Sequence, residues 1–134
     1  MHTTTKSAVA VSAFAAIAAV ALLHAAPVKA ASNPIKIIHC FVTVPKAFSK
    51  VASGTQIVYT NIGPKTAKKV TFGVGYRNAE NHFYRKVTDV GSFAPGDQID
   101  HHFSLYNDVT YAGKETSSCS ALSVVWSDGT TWTQ

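Results

Sequence analysis

The sequence predicts an all-β protein, a single antiparallel β-sandwich of about seven strands preceded by an N-terminal signal-peptide helix. Apolar residues alternate with polar ones and do not recur at helical spacing. Clusters of Gly, Pro, Asn and Asp separate short β-branched runs, and two cysteines lie far apart within this region. The first thirty residues differ in composition, so we expect a signal peptide over 1–30 and a sandwich domain over 31–134.

The N-terminal segment has the order of parts of a secretion signal. Lys6 precedes a long uncharged run of Ala, Val, Leu, Ile and Phe. Small residues at Val28 and Ala30 predict cleavage after Ala30, whereas cleavage after Ala26 would place a histidine in the third position. An uncleaved membrane anchor is the alternative, because the run approaches the roughly 20 residues that a spanning helix needs. We expect a secreted or periplasmic bacterial protein, with membrane contact only through this segment if it stays uncleaved.

The first three predicted strands cover residues 35–44, 55–60 and 69–77. The first is bracketed by prolines, and the second ends at an Asn-Ile-Gly-Pro reversal. The third shows the clearest alternation in the chain, which indicates a half-buried strand. Its apolar face comprises Val70, Phe72, Val74 and Tyr76.

Three more strands follow at similar spacing, over residues 82–90, 98–105 and 119–126. A polar break precedes the first of them, and an Ala-Pro-Gly-Asp turn signal precedes the second. In residues 98–105 the alternation places Ile99, His101, Phe103 and Leu105 on one face.

The C-terminal end carries the strongest hairpin signal. Asp128 and Gly129 as a two-residue turn would place Val125 opposite Trp132 and end the chain in a seventh strand. This register puts Trp126 and Trp132 on opposite sides of the hairpin. At most one indole ring would then be exposed, which makes the pair a weak indication of a carbohydrate site.

The two cysteines, Cys40 and Cys119, predict a disulfide between the first and sixth strands, because an exported chain folds in an oxidising compartment. Two buried free thiols are the alternative. The bridge would close a loop of about eighty residues, which the loop-entropy relation values at about 4 kcal/mol.

Three stretches, VYTNIGPKTAKKVTFGVGYRN, DVGSFAPGDQIDHHF and CSALSVVWSDGTTW, together resemble a group of small exported bacterial proteins of uncharacterised function. The resemblance implies an immunoglobulin-like or FxLYD-like extracytoplasmic β-sandwich, and it rests on turn chemistry. The chain departs from the immunoglobulin pattern because its first cysteine lies on the first strand and its third strand has no tryptophan. The resemblance carries over no catalytic residue.

The charge balance bounds the possible partners. Ten basic and seven acidic residues follow Ala30, a balance of about +3, which is far from a nucleic-acid-binding composition. A basic face could contact an anionic envelope polymer or a protein. Its candidate residues are Lys65, Lys68, Lys69, Arg77, Arg85 and Lys86. The alternative is that these side chains protect strand edges against aggregation.

The metal-ligand candidates are His101 and His102 with Asp97 and Asp100, which His39 or His82 could join. Adjacent strand residues point to opposite faces, so the paired histidines cannot easily share one ion. We expect a partly buried His101 with a hydrogen-bond partner and a solvated His102. A blue-copper site is disfavoured because Met1 is the only methionine and both cysteines are expected to be bridged.

The sequence offers no catalytic constellation and no cofactor motif. There is no Gly-x-Ser-x-Gly elbow, and the carboxylates lie mostly in turns. We therefore expect an exported non-catalytic module that acts through surface contacts with a protein or envelope component. The alternative is a periplasmic metal-binding protein that uses His101 or His102 with a nearby acid or histidine.

Overall fold

Seven antiparallel strands make up most of the region that the computed structural model describes, residues 31–45, 53–104 and 111–134. They are β1 (Ile35–Thr43), β2 (Gly54–Asn61), β3 (Ala67–Arg77), β4 (His82–Phe93), β5 (Gln98–Phe103), β6 (Thr116–Trp126) and β7 (Thr131–Thr133). The seven predicted strands are confirmed, although β6 begins three residues earlier than expected. The expected signal helix and the predicted end of the fifth strand at Leu105 lie outside the described residues. Within the described ranges, no helix is long and apolar enough to cross a membrane.

The strands form two sheets, and this arrangement confirms the predicted β-sandwich. One sheet has the order β1-β2-β5 and the other the order β4-β3-β6-β7. All pairings are antiparallel. The fourth strand pairs with the third, whereas in constant-type immunoglobulin domains the fourth strand joins the sheet of the first, second and fifth.

The core between the sheets is centred on β3. The apolar face of this strand is fully buried, as its alternation predicts. Ile57 and Tyr59 of β2 pack from the other sheet, and the Tyr59 and Phe72 rings lie 4.8 Å apart. Burying each large apolar side chain contributes roughly 1.5–3 kcal/mol, so this layer is a major source of stability.

A disulfide joins the two sheets at β1 and β6. Cys40 and Cys119 are bonded, with their Cα atoms 5.9 Å apart, and the predicted bridge is confirmed. Beside it, the backbone N–H of Val42 donates to Ser117 Oγ at 2.8 Å. The bond and this contact both connect the N-terminal strand of one sheet to β6 of the other.

The reversal after β2 is held by the side chain of Asn61, which is fully buried. Its Oδ1 accepts from the Gly63 N–H at 2.9 Å, and its Nδ2 donates to the carbonyls of Lys65 and Phe93. One amide therefore satisfies three backbone groups and ties the β2–β3 loop to the end of β4.

The predicted register of the C-terminal hairpin is wrong by one residue. Trp132 lies opposite Val124, and the expected partner Val125 pairs with Thr131. The loop has three residues because Gly129 adopts a φ of 82° and donates to the Trp126 carbonyl at 3.0 Å. A turn followed by a glycine in the left-handed region is a common three-residue hairpin loop, and it displaces the pairing by one.

We predict that replacing both Cys40 and Cys119 with alanine lowers the free energy of unfolding by up to about 4 kcal/mol, because the bridge closes a loop across 79 positions. Urea denaturation of wild type and the double variant measures the difference. Alkylation before and after reduction provides the control. Two thiols that react in unreduced, denatured protein would contradict the bridge.

Candidate functional site

The faces of β5 follow the predicted alternation. Ile99, His101 and Phe103 are half-buried toward the other sheet, while Asp100 and His102 are exposed. The two adjacent histidines therefore point to opposite faces, and the expected partly buried His101 and solvated His102 are confirmed.

A buried carboxylate provides the hydrogen-bond partner of His101. Asp89 in β4 is 2% exposed, and its Oδ2 lies 2.9 Å from His101 Nδ1. The same oxygen accepts a hydrogen bond from the Tyr59 hydroxyl at 2.9 Å. Because Asp89 belongs to one sheet and the other two residues to the second, this polar network bridges the sandwich.

Sequence reasoning missed Asp89. The available signal was its position two residues after Val87, which places both side chains on the inward face of an alternating strand. An inward carboxylate requires donors, and the donors come from β2 and β5. The sequence of β4 alone does not predict that these two strands pack against Asp89.

The protonation of the network follows from its geometry. Burial, followed by the hydrogen bond to Asp89, raises the pKa of the Tyr59 phenol well above its ordinary value, so Tyr59 remains a donor. His101 also contributes its Nδ1–H to the carboxylate. In the neutral imidazole, Nε2 is then the nitrogen that carries the lone pair.

The acidic metal-ligand candidates are engaged elsewhere. Asp97 Oδ2 accepts from the Ala94 N–H at 2.6 Å in the turn before β5. Asp100 Oδ1 accepts from the Gln56 side-chain amide on the neighbouring strand. Over the described residues, no group of three or more His, Cys, Asp or Glu is arranged to hold a metal ion. The structure does not bring the four predicted ligands together.

His101 and His102 nevertheless both line a shallow cleft of about 370 Å³ at the edge of the sandwich between β4 and β5. Lys86 also lines it, which disfavours a cation there. The other two candidate histidines belong to different sheets: His39 lies in β1 and His82 begins β4. The remaining lining residues are Val87, Thr88, Phe103 and Ser104.

Four of the six predicted basic residues gather on the solvent side of the four-stranded sheet. Lys69 and Arg77 alternate with the buried residues of β3, so their side chains point outward. Lys86 of β4 pairs with Gly73 and points to the same side. Lys68 is exposed at the β-bulge beside Lys69. We call the outward side of β4, β3, β6 and β7 the outer face.

The other two predicted basic residues lie apart from it. Lys65 Nζ forms an ion pair with Asp128 Oδ2 at 2.6 Å near the C-terminal hairpin. Arg85 pairs with the inward residue Val74, and its guanidinium lies 5.4 Å from the centre of the Phe83 ring.

The outer face combines cations with small polar side chains and an exposed aromatic ring. The Tyr84 side chain is 53% exposed, and its hydroxyl lies over Gly73. The registers of β3, β4 and β6 place further hydroxyl side chains on the outer face, namely Thr71, Thr88, Ser118, Ser120 and Ser123. Within the described ranges, no acidic residue lies on this face: the acids there are Glu80, Asp89, Asp97, Asp100, Glu115 and Asp128.

Contrary to the sequence prediction, both tryptophans lie on the same side of the terminal hairpin. Trp132 pairs with Val124, and Trp126 is two residues further along the same face of β6. Together they line an open groove of about 360 Å³, which we call the tryptophan groove. Its other lining residues are Ala31, Ser32, Asn33, Pro34, Ile62, Gly63, Pro64, Lys65 and Thr131.

Comparisons of the chain with protein-family models, with curated proteins and with solved structures find no match.

We predict that Tyr59→Phe lowers the free energy of unfolding by about 1.5–3 kcal/mol, because it removes a buried hydrogen bond to a carboxylate. Urea denaturation measures the change. Tyr84→Phe is the matched control, since that exposed hydroxyl should contribute less than about 0.5 kcal/mol. Equal effects of the two substitutions would contradict a stabilising role for the network.

Proposed function

We propose that the protein is an exported, non-catalytic β-sandwich module that binds an anionic component of the bacterial envelope through its outer face. In this proposal, cleavage after Ala30 releases the domain to the periplasm or the exterior. The disulfide supports an oxidising compartment of that kind. The family resemblance to small exported sandwich proteins is part of the same proposal.

The observation that carries the proposal is the separation of charge on the four-stranded sheet. Lys69, Arg77 and Lys86 lie on its outward side with no described carboxylate among them. Like charges on a continuous surface raise the local concentration of anionic groups and accelerate association. The hydroxyl side chains between them offer hydrogen bonds to a polar ligand.

Protection of sheet edges does not account for the cations on β3. Lysines that prevent aggregation are needed on edge strands. β3 is an interior strand with β4 and β6 paired on its two sides. Lys69 and Arg77 of β3 therefore have no exposed backbone edge to protect, and contact with a ligand is the better explanation.

The module is proposed as non-catalytic because the polar network around Asp89 stabilises the packing of the two sheets. Asp89 satisfies Tyr59 and His101 across the sheets. His101 Nδ1 is engaged by the Asp89 carboxylate, so this histidine orients the packing of the two sheets.

Metal binding through His101 or His102 stays a second hypothesis. The contact between Asp89 and His101 Nδ1 favours it, because carboxylates orient metal-binding histidines in this way. Lys86 in the same cleft disfavours metal binding, and Asp97 and Asp100 are engaged elsewhere.

We predict that Lys69→Gln combined with Lys86→Gln weakens binding to immobilised polyglutamate and to alginate, a polymer of uronic acids, about five- to tenfold. The loss of two cationic contacts gives the physical reason. The full chain is expressed in a bacterial host and tested in the form that accumulates, with affinity measured at several salt concentrations.

The matched control is Lys36→Gln combined with Arg85→Gln, which changes the net charge equally at exposed positions that lie off the outer face, on β1 and beside the inward residue Val74. It should leave both affinities near the wild-type values. If the two double variants weaken binding equally, the assignment of the outer face is wrong. If wild type binds neither polymer at low salt, the proposed function fails.

A further inference from the structure

The tryptophan groove is built so that two aromatic rings reach one opening. Trp126 forms part of its base and is 8% exposed. This ring packs against the β2–β3 loop at Gly63, where an added Cβ would lie 2.5 Å from Trp126 Cη2. Glycine at this position therefore allows the close approach that closes the base of the groove.

Trp132 forms a fixed wall of the same groove. Its indole Nε1 donates to the Ala31 carbonyl at 3.1 Å, and its ring packs partly against the core. An indole held at both ends loses little conformational freedom when a ligand stacks on it. The volume of about 360 Å³ lies at the lower end of the range for ligand sites, roughly 300–1,000 Å³.

The rim of the groove is charged and hydrogen-bonding. Lys65 Nζ contacts Asp128 Oδ2 at 2.6 Å and Thr130 Oγ1 at 3.3 Å. The hydrogen bond from Lys65 and those from Thr130 hold the pKa of the Asp128 carboxyl well below its ordinary value, so this carboxylate stays charged at neutral pH.

An apolar base beside a polar rim matches the chemistry of a sugar ring. The C–H face of a pyranose stacks on an indole, while its hydroxyl edge requires hydrogen-bonding groups. A hydrocarbon chain could contact the indole rings, but it cannot form hydrogen bonds with the ion pair at the rim. The lining therefore favours a carbohydrate over a lipid tail.

The groove also opens next to the cationic surface. Lys69 pairs with Val125, and Val125 pairs with Thr131, which lines the groove. The two tryptophans lie on the core side of β6 and β7, so a ligand in the groove reaches Lys69 around the edge of β7 at Thr131, across two strand spacings of about 10 Å in all. The nearby Lys69, which has no described carboxylate beside it on the outer face, favours a sugar polymer that carries acidic groups over a neutral one.

We propose that the tryptophan groove binds a sugar ring of an acidic polysaccharide whose neighbouring units lie along the outer face. The proposal rests on the proposed function, because it names the chemical class of the anionic envelope component.

The two tryptophans of the chain make the test direct. Both line the groove, so intrinsic fluorescence reports its occupancy. The full chain is titrated with alginate oligosaccharide, with polyglutamate of similar charge, and with neutral dextran oligosaccharide. Alginate should change the emission saturably, polyglutamate should bind without changing it, and dextran should bind at least about tenfold more weakly than alginate.

Ile62→Glu places a repelling carboxylate in the groove at a side chain that is 59% exposed, so the fold should tolerate it. The factor by which Ile62→Glu weakens alginate binding should be at least about ten times the factor by which it weakens polyglutamate binding. Ile38→Glu is the matched control, because Ile38 is 39% exposed in β1 and does not line the groove. Its two affinities should stay within about twofold of wild type.

These outcomes distinguish the groove proposal from the proposed function on which it rests. Alginate binding without any change in emission would overturn the groove assignment and leave the outer face in place. An equal emission change with polyglutamate would overturn the carbohydrate assignment, and equal binding of dextran would overturn the acidic class. Failure to bind any polymer would remove the proposed function itself.

Discussion

The burial of one face of β3 determines which side chains of the four-stranded sheet lie on the outer face. Four consecutive inward side chains of this strand are fully buried against the other sheet, so the intervening residues must face solvent. A slip of one residue would bury Lys69 and expose Phe72, which is energetically prohibitive. The cationic outer face is therefore a direct consequence of core packing, and its position is as well defined as the core itself.

The sequence was sufficient to predict this part of the structure. Alternation in β3 and β5 gave the correct faces for Phe72 and for His101. The compartment implied by the N-terminal segment gave the correct pairing of Cys40 with Cys119. These features depend on local periodicity or on having only two cysteines, so no knowledge of strand neighbours was needed.

The hairpin register could not be predicted in the same way. Asp128 and Gly129 fit a two-residue turn, but Gly129 with positive φ also fits a three-residue loop that begins at Ser127. Both loops suit the same residues, and the choice between them decides which face Trp132 occupies. The groove exists because the longer loop forms, and the prediction that the tryptophans diverge fails for this reason.

The buried Asp89 was missed because its stabilisation is entirely long-range. Its donors, Tyr59 and His101, come from two strands of the opposite sheet. A buried carboxylate that lost either donor would be destabilising, so the network favours one alignment of the sheets. It therefore helps to fix the packing on which both the outer face and the groove depend.

Amide and indole chemical shifts of the ¹⁵N-labelled protein, recorded with and without alginate oligosaccharide, test most directly whether the ligand contacts the outer face and the tryptophan groove. We expect the changes in chemical shift to concentrate along the row from Lys69 to Thr131, around Tyr84, and at the indole of Trp132. Shifts confined to the solvent side of the three-stranded sheet, around Lys36, Phe41 and His102, would contradict this expectation.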